Sequence, residues 1–338
     1  MNDRRRPTLE MVARRAGVGR GTVSRVINGS DQVSEATRVS VMDAVTALGY
    51  VPNRAARSLV TQRTDTVALV VSEPEDRLFA QPFFAEIVRG ATAELSDRGL
   101  QLMLTSAGSE SEHERLGDYL SGRHVDGVLA VSLHRDSVLP DTLAASGVPC
   151  VIGGRPLGMR HTPLHLVDID NVGGAHTATR HLIDTGRTRV ASLTGPQDMV
   201  AGVDRLRGYR KALAESGRDD ELIAAGDFGY DSGVAAMRAL IEADPHLDGV
   251  FVASDLMALA ALRTLRSLGR RVPDDVAVVG YDDVPFSEHA EPPLTTIHQP
   301  AERMGREMAR VLIDRVLSGG TGATEVVLAT HLVIRESA

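Results

Sequence analysis

The sequence predicts an all-α N-terminal head followed by an α/β body in which helices cover parallel sheets. Three short amphipathic segments separated by turns occupy the first 50 residues, and from Val67 onward apolar runs alternate with helical patterns. Such alternation is typical of parallel sheets with both faces buried. The length of 338 residues is enough for two or three compact units with buried cores.

Charge is divided unevenly between these two parts. The formal net charge is −8, but residues 1–63 carry 11 arginines against five acidic residues, a net charge of +6. The remaining chain has 26 basic and 40 acidic residues, a net charge of −14. A basic head on an acidic body indicates that any contact with nucleic acid is made by the head, because phosphate binding needs positive charge.

Several classes of protein are excluded by composition. Cys150 is the single cysteine, so neither an intramolecular disulfide nor a cysteine-based metal site can form. No apolar stretch approaches the roughly 18 to 20 residues that span a bilayer, and the N-terminus lacks the apolar segment of a signal peptide. We therefore expect a cytoplasmic protein with no membrane partner, cofactor or metal.

The head contains three predicted helices. The first lies between the N-cap Thr8 and Gly17, which suits the left-handed position after a helix, and the second follows the AGVGR turn and ends before Asn28. The third begins after the N-cap Ser34 and runs to Gly49. The apolar positions that define these patterns are Leu9, Val12, Ala13, Ala16, Val23, Val26, Ile27, Val39, Met42, Val45 and Leu48. Two short helices joined by a tight turn match a helix-turn-helix motif, and a generic three-helix bundle is the alternative.

The body is predicted as two α/β halves. Its apolar runs are VALVV, LQLMLTS, DGVLAVS, VPCVI, LHLVDID, VASLTG, DGVFVAS and VAVVGYD. Helices are expected near 83–96, 112–120, 139–145, 171–185, 203–216, 232–242, 255–268 and 301–317. A loop rich in Gly, Pro and Arg follows VPCVI, so LHLVDID is expected to open the second half.

Polar side chains follow the predicted strands, and ligands of open parallel sheets bind at the carboxyl ends of strands. These side chains are Ser72, His134, Arg155, Asp255 and Asp282. Charged planar groups chelate adjacent sugar hydroxyls and aromatic faces stack on sugar rings. The aromatic residues near the same strand ends are Phe83, Phe84, Phe228, Tyr230, Tyr281 and Phe286. The pattern predicts a sugar site. Two alternatives to a binding role remain: Asp255 could simply cap its helix, and either Phe83 or Phe84 could belong to the core.

Four segments of the head carry a resemblance: TVSRVIN, VS followed by T, LGYVPN and NRAARSL. In these segments the head closely resembles the LacI family of transcriptional repressors, and the resemblance continues to the end of the chain. It implies a two-subdomain, periplasmic-binding-protein-like clamshell with parallel sheets behind the helix-turn-helix. The implied boundaries are 1–52 for the DNA-binding head, 53–63 for a hinge helix and linker, and 64–338 for the effector-binding and dimerisation domain. Within that domain, one subdomain covers about 64–165 plus part of 300–328, and the other about 166–295 plus the C-terminal strand.

The resemblance also implies roles on DNA. The second helix enters the major groove, where Arg20 and Gly21 read bases and Arg25 reads a further base. An arginine there can bind the O6 and N7 atoms of guanine in a bidentate manner. The polar residues suited to phosphate contacts are Thr8, Thr22, Ser24, Asn28 and Ser34.

We expect the segment NRAARSLVT to be disordered off DNA, because a helix of fewer than about 12 residues is marginal alone in water. The resemblance implies that it is a hinge helix that folds in the minor groove, paired with its twin from the other subunit. Its implied DNA contacts are Asn53, Arg54 and Ala56, with Leu59 as the wedge in the central base step. A plain linker is the alternative reading.

In the body the resemblance implies that Arg205 binds the effector, that Asp255 and Asp282 are pocket acids, and that Phe228 stacks on a sugar ring. Together with the strand-end residues, the expected effector set is Ser72, Phe83, His134, Arg155, Arg205, Phe228, Asp255 and Asp282. No catalytic residue is expected, because no nucleophile motif, phosphate-binding loop or zinc spacing occurs.

Further segments, among them GVGRGTVSRVINGS, GGRPLG and GPQDMVAGV, are similar to actinobacterial cellobiose-responsive repressors of this family. The implied function is repression of cellulose-utilisation genes as a homodimer on palindromic double-stranded DNA, with release by a small sugar such as cellobiose. Another disaccharide, a corepressor that tightens DNA binding, and a sugar-binding transport protein are the alternatives. The sequence has no leucine-heptad tail, so we expect a dimer.

Overall fold

The computed structural model describes residues 7–27, 29–30, 32–51, 63–157, 165–320 and 322–338, and the chain divides into two compact units between Thr64 and Asp65. The first unit contains α1 (Leu9–Ala16), α2 (Arg20–Ile27) and α3 (Glu35–Leu48). None of the described helices is long and apolar enough to cross a membrane.

Capping residues set the helix ends of the first unit as the sequence predicts. The Thr8 hydroxyl accepts a hydrogen bond from the Met11 amide, and the Ser34 hydroxyl accepts one from the Thr37 amide, both at 3.4 Å. Gly17 follows α1 with φ of 66°, a left-handed conformation that glycine adopts without steric cost.

The core of the first unit differs from prediction in α3. Its buried apolar residues are Val12, Ala13, Val23, Val26, Val41 and Ala44. Val39 and Met42 are 51% and 47% exposed. The apolar residues of α3 surround more than one face of the helix, and the face that α1 and α2 cover is the one with Val41 and Ala44.

The second unit is an α/β structure with two sheets. In chain order its elements are β1 (Thr66–Val71), α4 (Glu75–Ala80), α5 (Pro82–Asp97), β2 (Gln101–Ser106), α6 (Glu110–Ser121), β3 (Gly127–Val131), α7 (Leu139–Ser146), β4 (Cys150–Gly153), β5 (His165–Ile169), α8 (Asn171–Asp184), β6 (Val190–Thr194), α9 (Val200–Glu215), β7 (Leu222–Ala225), α10 (Tyr230–Ala243), β8 (Gly249–Val252), α11 (Asp255–Ser267), β9 (Ala277–Asp282), a 3₁₀ turn (Pro285–His289), β10 (Thr295–His298), α12 (Ala301–Val311), a π-helical turn (Leu312–Leu317), β11 (Glu325–Leu328) and β12 (His331–Val333).

Each sheet forms the centre of one lobe. The N-terminal lobe has the all-parallel order β11-β5-β4-β3-β1-β2, and the C-terminal lobe has the order β12-β10-β9-β8-β6-β7 with β12 antiparallel. Apolar clusters cover both faces of each sheet: Leu69 and Ile87 belong to one face of the first sheet, and Val252 and Leu265 to one face of the second. The chain crosses between the lobes after β5, after β10 and after β11.

The division between the lobes corrects the sequence prediction. LHLVDID does not open the second half, because β5 pairs in parallel with β4 and with β11 in the first sheet. The crossing lies at Asp170, between β5 and α8, rather than near residue 166. A buried apolar run has the same pattern in either sheet, so the sequence alone does not assign it. The strand β7 and the short helix α4 were not predicted.

The sheet order sets the position of the cleft. In the N-terminal lobe the order reverses direction between β1 and β3, and in the C-terminal lobe between β6 and β8. Ligands of open α/β sheets bind beside the carboxyl ends of strands at such reversals. The segments that follow these four strands line the cavity between the lobes.

Candidate functional site

The exposed face of α2 carries the residues predicted to contact DNA. Because Val23 and Val26 are buried in the core, Arg20, Gly21 and Arg25 lie on the exposed side. Thr22 and Ser24 are half-buried beside them, and Thr8 and Ser34 are exposed at the N-termini of α1 and α3. Amide groups at helix N-termini favour anions, which suits contact with phosphate.

Arg20 has an acidic neighbour in the same unit. Its guanidinium lies 3.1 Å from the Glu10 carboxylate, and the two side chains are 71% and 62% exposed. An ion pair this exposed contributes little, so Arg20 is available for another partner. The remaining predicted DNA contacts, Asn28, Asn53, Arg54, Ala56 and Leu59, lie outside the described residues.

The cavity between the lobes contains about 960 Å³ of space between protein atoms, including the part that opens to solvent. Of the expected effector set, the residues that line it are Phe83, Arg155, Arg205, Phe228 and Asp282. Both lobes contribute, since Phe83 and Arg155 belong to the N-terminal lobe and the other three to the C-terminal lobe. A ligand here touches both lobes at once.

Arg205 is the centre of a buried polar network. It lies in the first turns of α9 and is 5% exposed. Its guanidinium donates to the Asn171 side chain at 2.9 Å and to the Gln299 side chain at 3.1 Å, and it lies over the Tyr281 ring with 3.6 Å to the ring centroid. These contacts hold the planar guanidinium group of Arg205 in one orientation, as recognition of hydroxyl groups requires.

Asp282 shares this network. One carboxylate oxygen accepts from Gln299 at 2.6 Å and lies 3.5 Å from Arg205, and the other lies 3.3 Å from the Asp255 amide. Burial raises the pKa of Asp282 to about 8, although the charge of Arg205 acts in the opposite direction. The residue can therefore offer either a proton or a lone pair to a hydroxyl group near neutral pH.

Arg155 joins the two lobes inside the cavity. It donates through Nε to Asp168 at 3.0 Å within its own lobe, and through Nη2 to Asp204 of the C-terminal lobe. Burial raises the pKa of Asp168, and the hydrogen bond from Arg155 acts against that rise. A guanidinium between two carboxylates is the donor and acceptor set that adjacent hydroxyls require.

Aromatic rings supply the apolar part of the cavity. Phe83 and Phe84 both line it and meet edge to face, with ring centroids 5.4 Å apart, although Phe84 is also buried in the lobe's core. Phe228 has φ of 68° and its ring lies 5.4 Å from the Arg205 guanidinium, while Phe286 lines the cavity from the 3₁₀ turn. A left-handed conformation at a residue other than glycine is costly and is concentrated at functional sites.

Three predicted effector residues do not line the cavity. Ser72 is buried, with its hydroxyl 3.4 Å from that of Ser137. His134 is held by the carboxylates of Glu73 and Asp198, at 3.1 and 2.7 Å.

Asp255 is also outside the cavity, because its carboxylate is fully buried beneath the segment after β9. It accepts hydrogen bonds from the amides of Asp283 and Val284 and from the hydroxyls of Ser287 and Thr296. Its burial raises its pKa, and these four donors act against the rise. The alternative in which Asp255 is a simple helix cap is wrong, since Ser254 caps α11 by accepting a hydrogen bond from the Met257 amide.

Sequence reasoning missed several lining residues. The polar ones are Glu73, Gln81, Asp168, Asn171, Ser254 and Gln299. Asp168 and Asn171 flank the end of β5 in VDIDN, and assigning that strand to the first sheet would have pointed to them. Gln299 lies in the segment that crosses between lobes and has no signal in the sequence. Among the described residues, no cluster of His, Cys, Asp and Glu is arranged to hold a metal ion.

Two family models match the chain. The model described as bacterial regulatory proteins, lacI family, matches residues 8–53, and the model described as periplasmic binding protein-like domain matches residues 179–338. Among curated proteins, the HTH-type transcriptional regulator CelR of Thermobifida fusca is 63% identical over 339 residues and covers 100% of both chains. The HTH-type transcriptional repressor PurR of Photobacterium profundum is 35% identical over 336 residues and covers 98% of both.

Solved structures give the same result for the fold. A transcriptional regulator CelR–cellobiose complex superposes with a TM-score of 0.80 and 61% identity, over 98% of this chain and 100% of that one. A lac repressor dimer bound to operator and the anti-inducer ONPF superposes with a TM-score of 0.86 and 28% identity, over 98% and 99%.

Proposed function

Because the chain belongs to the LacI family of bacterial transcriptional regulators, we propose that it represses sugar-utilisation genes, in particular those for cellulose and cellobiose, and leaves its operator when cellobiose binds between the lobes. The observation that carries the proposal is the cavity itself, where Arg205 and Asp282 lie beside Phe228. Guanidinium and carboxylate groups beside an aromatic ring are the chemistry that a pyranose ring with adjacent hydroxyls requires. The CelR–cellobiose complex supports cellobiose as the effector.

The DNA-binding role rests on the first unit. In this proposal two chains form a twofold dimer on a palindromic operator, because one helix-turn-helix reads only a half-site. Arg20 contacts guanine, Arg25 and Gly21 approach further bases, and Thr8, Thr22, Ser24 and Ser34 contact phosphates. The operator-bound lac repressor dimer supports this assembly. The acidic remainder of the chain, at −14, keeps DNA contact to the first unit.

Repression and sugar binding are coupled in this scheme. Sugar that closes the lobes moves the N-terminal lobes of a dimer relative to each other and weakens the operator complex. Linkage then requires that operator weakens sugar binding by the same factor. The relatives are transcriptional regulators rather than enzymes, and we infer that this chain also lacks catalytic activity. Its site of action is chromosomal DNA, which assigns it to the cytoplasm.

Two other functions share part of the site. A different disaccharide, or a corepressor that tightens DNA binding, would use the same cavity with the same first unit. A sugar-binding transport protein would share the lobes, but the lacI-type segment at residues 8–53 would then have no role.

The test is an operator-binding assay by fluorescence anisotropy with a panel of β-linked and α-linked disaccharides. Cellobiose should release the operator and maltose should not. The variant Arg205→Lys keeps the charge but loses the planar fork, so it should bind operator normally and no longer respond to cellobiose. Tighter DNA binding with sugar would establish the corepressor alternative, and release by another sugar alone would exclude cellobiose as the effector.

A further inference from the structure

A chain of ionic hydrogen bonds connects the lobes at the edge of the cavity. His134 follows β3 in the N-terminal lobe, and its Nε2 atom lies 3.1 Å from a carboxylate oxygen of Glu73, which follows β1. Its Nδ1 atom lies 2.7 Å from a carboxylate oxygen of Asp198, in the segment after β6 of the C-terminal lobe. The imidazole is therefore the connection between a carboxylate of one lobe and a carboxylate of the other.

The geometry determines the protonation state of His134. A neutral imidazole has one N–H group, so it can donate to one carboxylate only and would turn a lone pair towards the other. Only the imidazolium donates to both. Glu73 is 4% exposed, and its carboxylate also accepts from the Ser132 hydroxyl at 2.7 Å and lies 3.6 Å from the Arg77 guanidinium.

Neighbouring contacts place this bridge within a longer seam. The Arg77 guanidinium donates to Asp227 of the C-terminal lobe at 2.7 Å. The Arg135 amide donates to the Asp198 carbonyl at 2.7 Å, and the Arg135 guanidinium donates to the Gln197 carbonyl at 3.3 Å. Two carboxylates, those of Glu73 and Asp198, contact His134 directly. The other charged groups of the seam are the Asp227 carboxylate and the guanidinium groups of Arg77 and Arg135.

We propose that His134 is a bridge, protonated at neutral pH, that holds the two lobes together over the cavity, and so positions the sugar site without touching the sugar. Glu73 and Ser132, on one side of the bridge, line the cavity. The hydrogen bonds to Glu73 and Asp198 raise the pKa of His134 to about 9, although burial acts to lower it. The bridge is therefore intact at neutral pH and is lost as the pH rises through about 9.

Closure matters for affinity because the cavity takes ligand groups from both lobes, Arg155 from one and Arg205 from the other. The apparent affinity of a ligand falls in proportion to the fraction of protein in the binding-competent state. Loss of one charge-assisted bridge is expected to weaken cellobiose binding by about ten-fold. This part of the inference rests on the proposed function, whereas the protonation of the bridge does not.

The experiment begins without sugar. Histidine resonances of the full-length protein are titrated by NMR from pH 5 to 10.5, and the resonance missing from His134→Gln identifies His134. We expect it to titrate near pH 9, and Asp198→Asn should lower that value because one acceptor loses its charge. A value near the ordinary 6.5, or one that Asp198→Asn leaves unchanged, would overturn the bridge.

Cellobiose affinity is then measured by calorimetry at pH 7.5 and 9.5. The wild-type affinity should fall between these values. His134→Gln should be about ten-fold weaker at pH 7.5 and should lose less affinity than wild type between the two pH values, because Asp282 titrates in both proteins and only the wild type also loses the bridge. His176→Gln is the matched control, because His176 bonds Glu215 at 2.7 Å between α8 and α9 of one lobe, and it should behave as wild type. Equal affinity of His134→Gln and wild type would overturn the positioning role. If neither the wild type nor any variant binds cellobiose, the proposal that cellobiose is the effector fails. The NMR titration of His134 then tests the bridge by itself.

Discussion

Substitution of Gly195 by alanine should damage the sugar site through Phe228. A Cβ atom at Gly195 would lie 2.2 Å from Cε1 and 2.3 Å from Cζ of the Phe228 ring. Non-bonded carbon atoms prefer roughly 3.5–4.0 Å, so the ring must move by more than about 1.3 Å. The backbone at Phe228 has φ of 68° and cannot easily follow, because few conformations are open to a bulky residue there.

The size of the effect follows from these contacts. Overpacking of this kind costs about 1–3 kcal/mol in unfolding free energy. A displaced aromatic face loses about 0.5–1.5 kcal/mol of stacking, which corresponds to roughly two- to ten-fold weaker cellobiose binding. Operator binding without sugar should change by less than about two-fold, since the substitution lies outside the DNA-binding unit.

Calorimetry with cellobiose measures the loss of affinity, and chemical denaturation measures the loss of unfolding free energy. The additional substitution Phe228→Ala separates the two effects. In the double variant Gly195→Ala/Phe228→Ala the clash is absent, so stability should recover to that of Phe228→Ala while sugar binding stays weak. The two substitutions should therefore couple strongly in stability. If Gly195→Ala alone binds cellobiose as wild type does, or if the stability changes are additive, Phe228 does not occupy the position described.

Three further outcomes are expected. Arg20→Ala should weaken operator binding by about ten- to one-hundred-fold and leave non-specific DNA binding unchanged in competition anisotropy; equal losses on both DNAs would assign Arg20 to phosphate. Because burial raises the folded-state pKa of Asp282 to about 8, above its ordinary value of 3.8, the native state keeps a proton that the unfolded state releases, and stability falls as pH rises between these values. Asp282→Asn should therefore flatten the melting temperature between pH 5 and 8, and parallel curves for variant and wild type would contradict this. Asp255→Ala leaves four donors without their acceptor and should lower the unfolding free energy by about 3–5 kcal/mol in denaturant titrations. The exposed Asp231→Ala should change it by less than about 0.5 kcal/mol, and a similar small change for both would refute the anchoring role.

Features governed by local chemistry were predictable from sequence. The caps at Thr8 and Ser34 and the left-handed Gly17 need only the residues within one helical turn, and each lies where the sequence predicts. The alternation of strands and helices was equally clear, because buried parallel strands are continuous apolar runs.

Features that depend on distant partners were not predictable. The burial of Val41 and Ala44 rather than Val39 and Met42 depends on which face of α3 the other helices cover. The assignment of β5 to the first sheet depends on its pairing with β11, a strand about 160 residues later in the chain. The apolar pattern of α3 does not show which helices cover it, and the apolar pattern of β5 does not show that it pairs with β11.

The two predicted pocket acids show the same principle within the site. Asp255 and Asp282 each lie at the end of a strand of the second sheet, and both positions predicted a carboxylate in the cavity. Asp282 lines the cavity because it meets Arg205 and Gln299, whereas Asp255 turns beneath the loop and accepts from Ser287 and Thr296. Since Asp255 also accepts from the Asp283 and Val284 amides, it fixes the loop directly after Asp282, where φ of Asp283 is 61°. The position of an acid at a strand end thus predicts nearness to the cavity, but the donors around it decide whether its carboxylate faces the cavity or holds the adjacent loop.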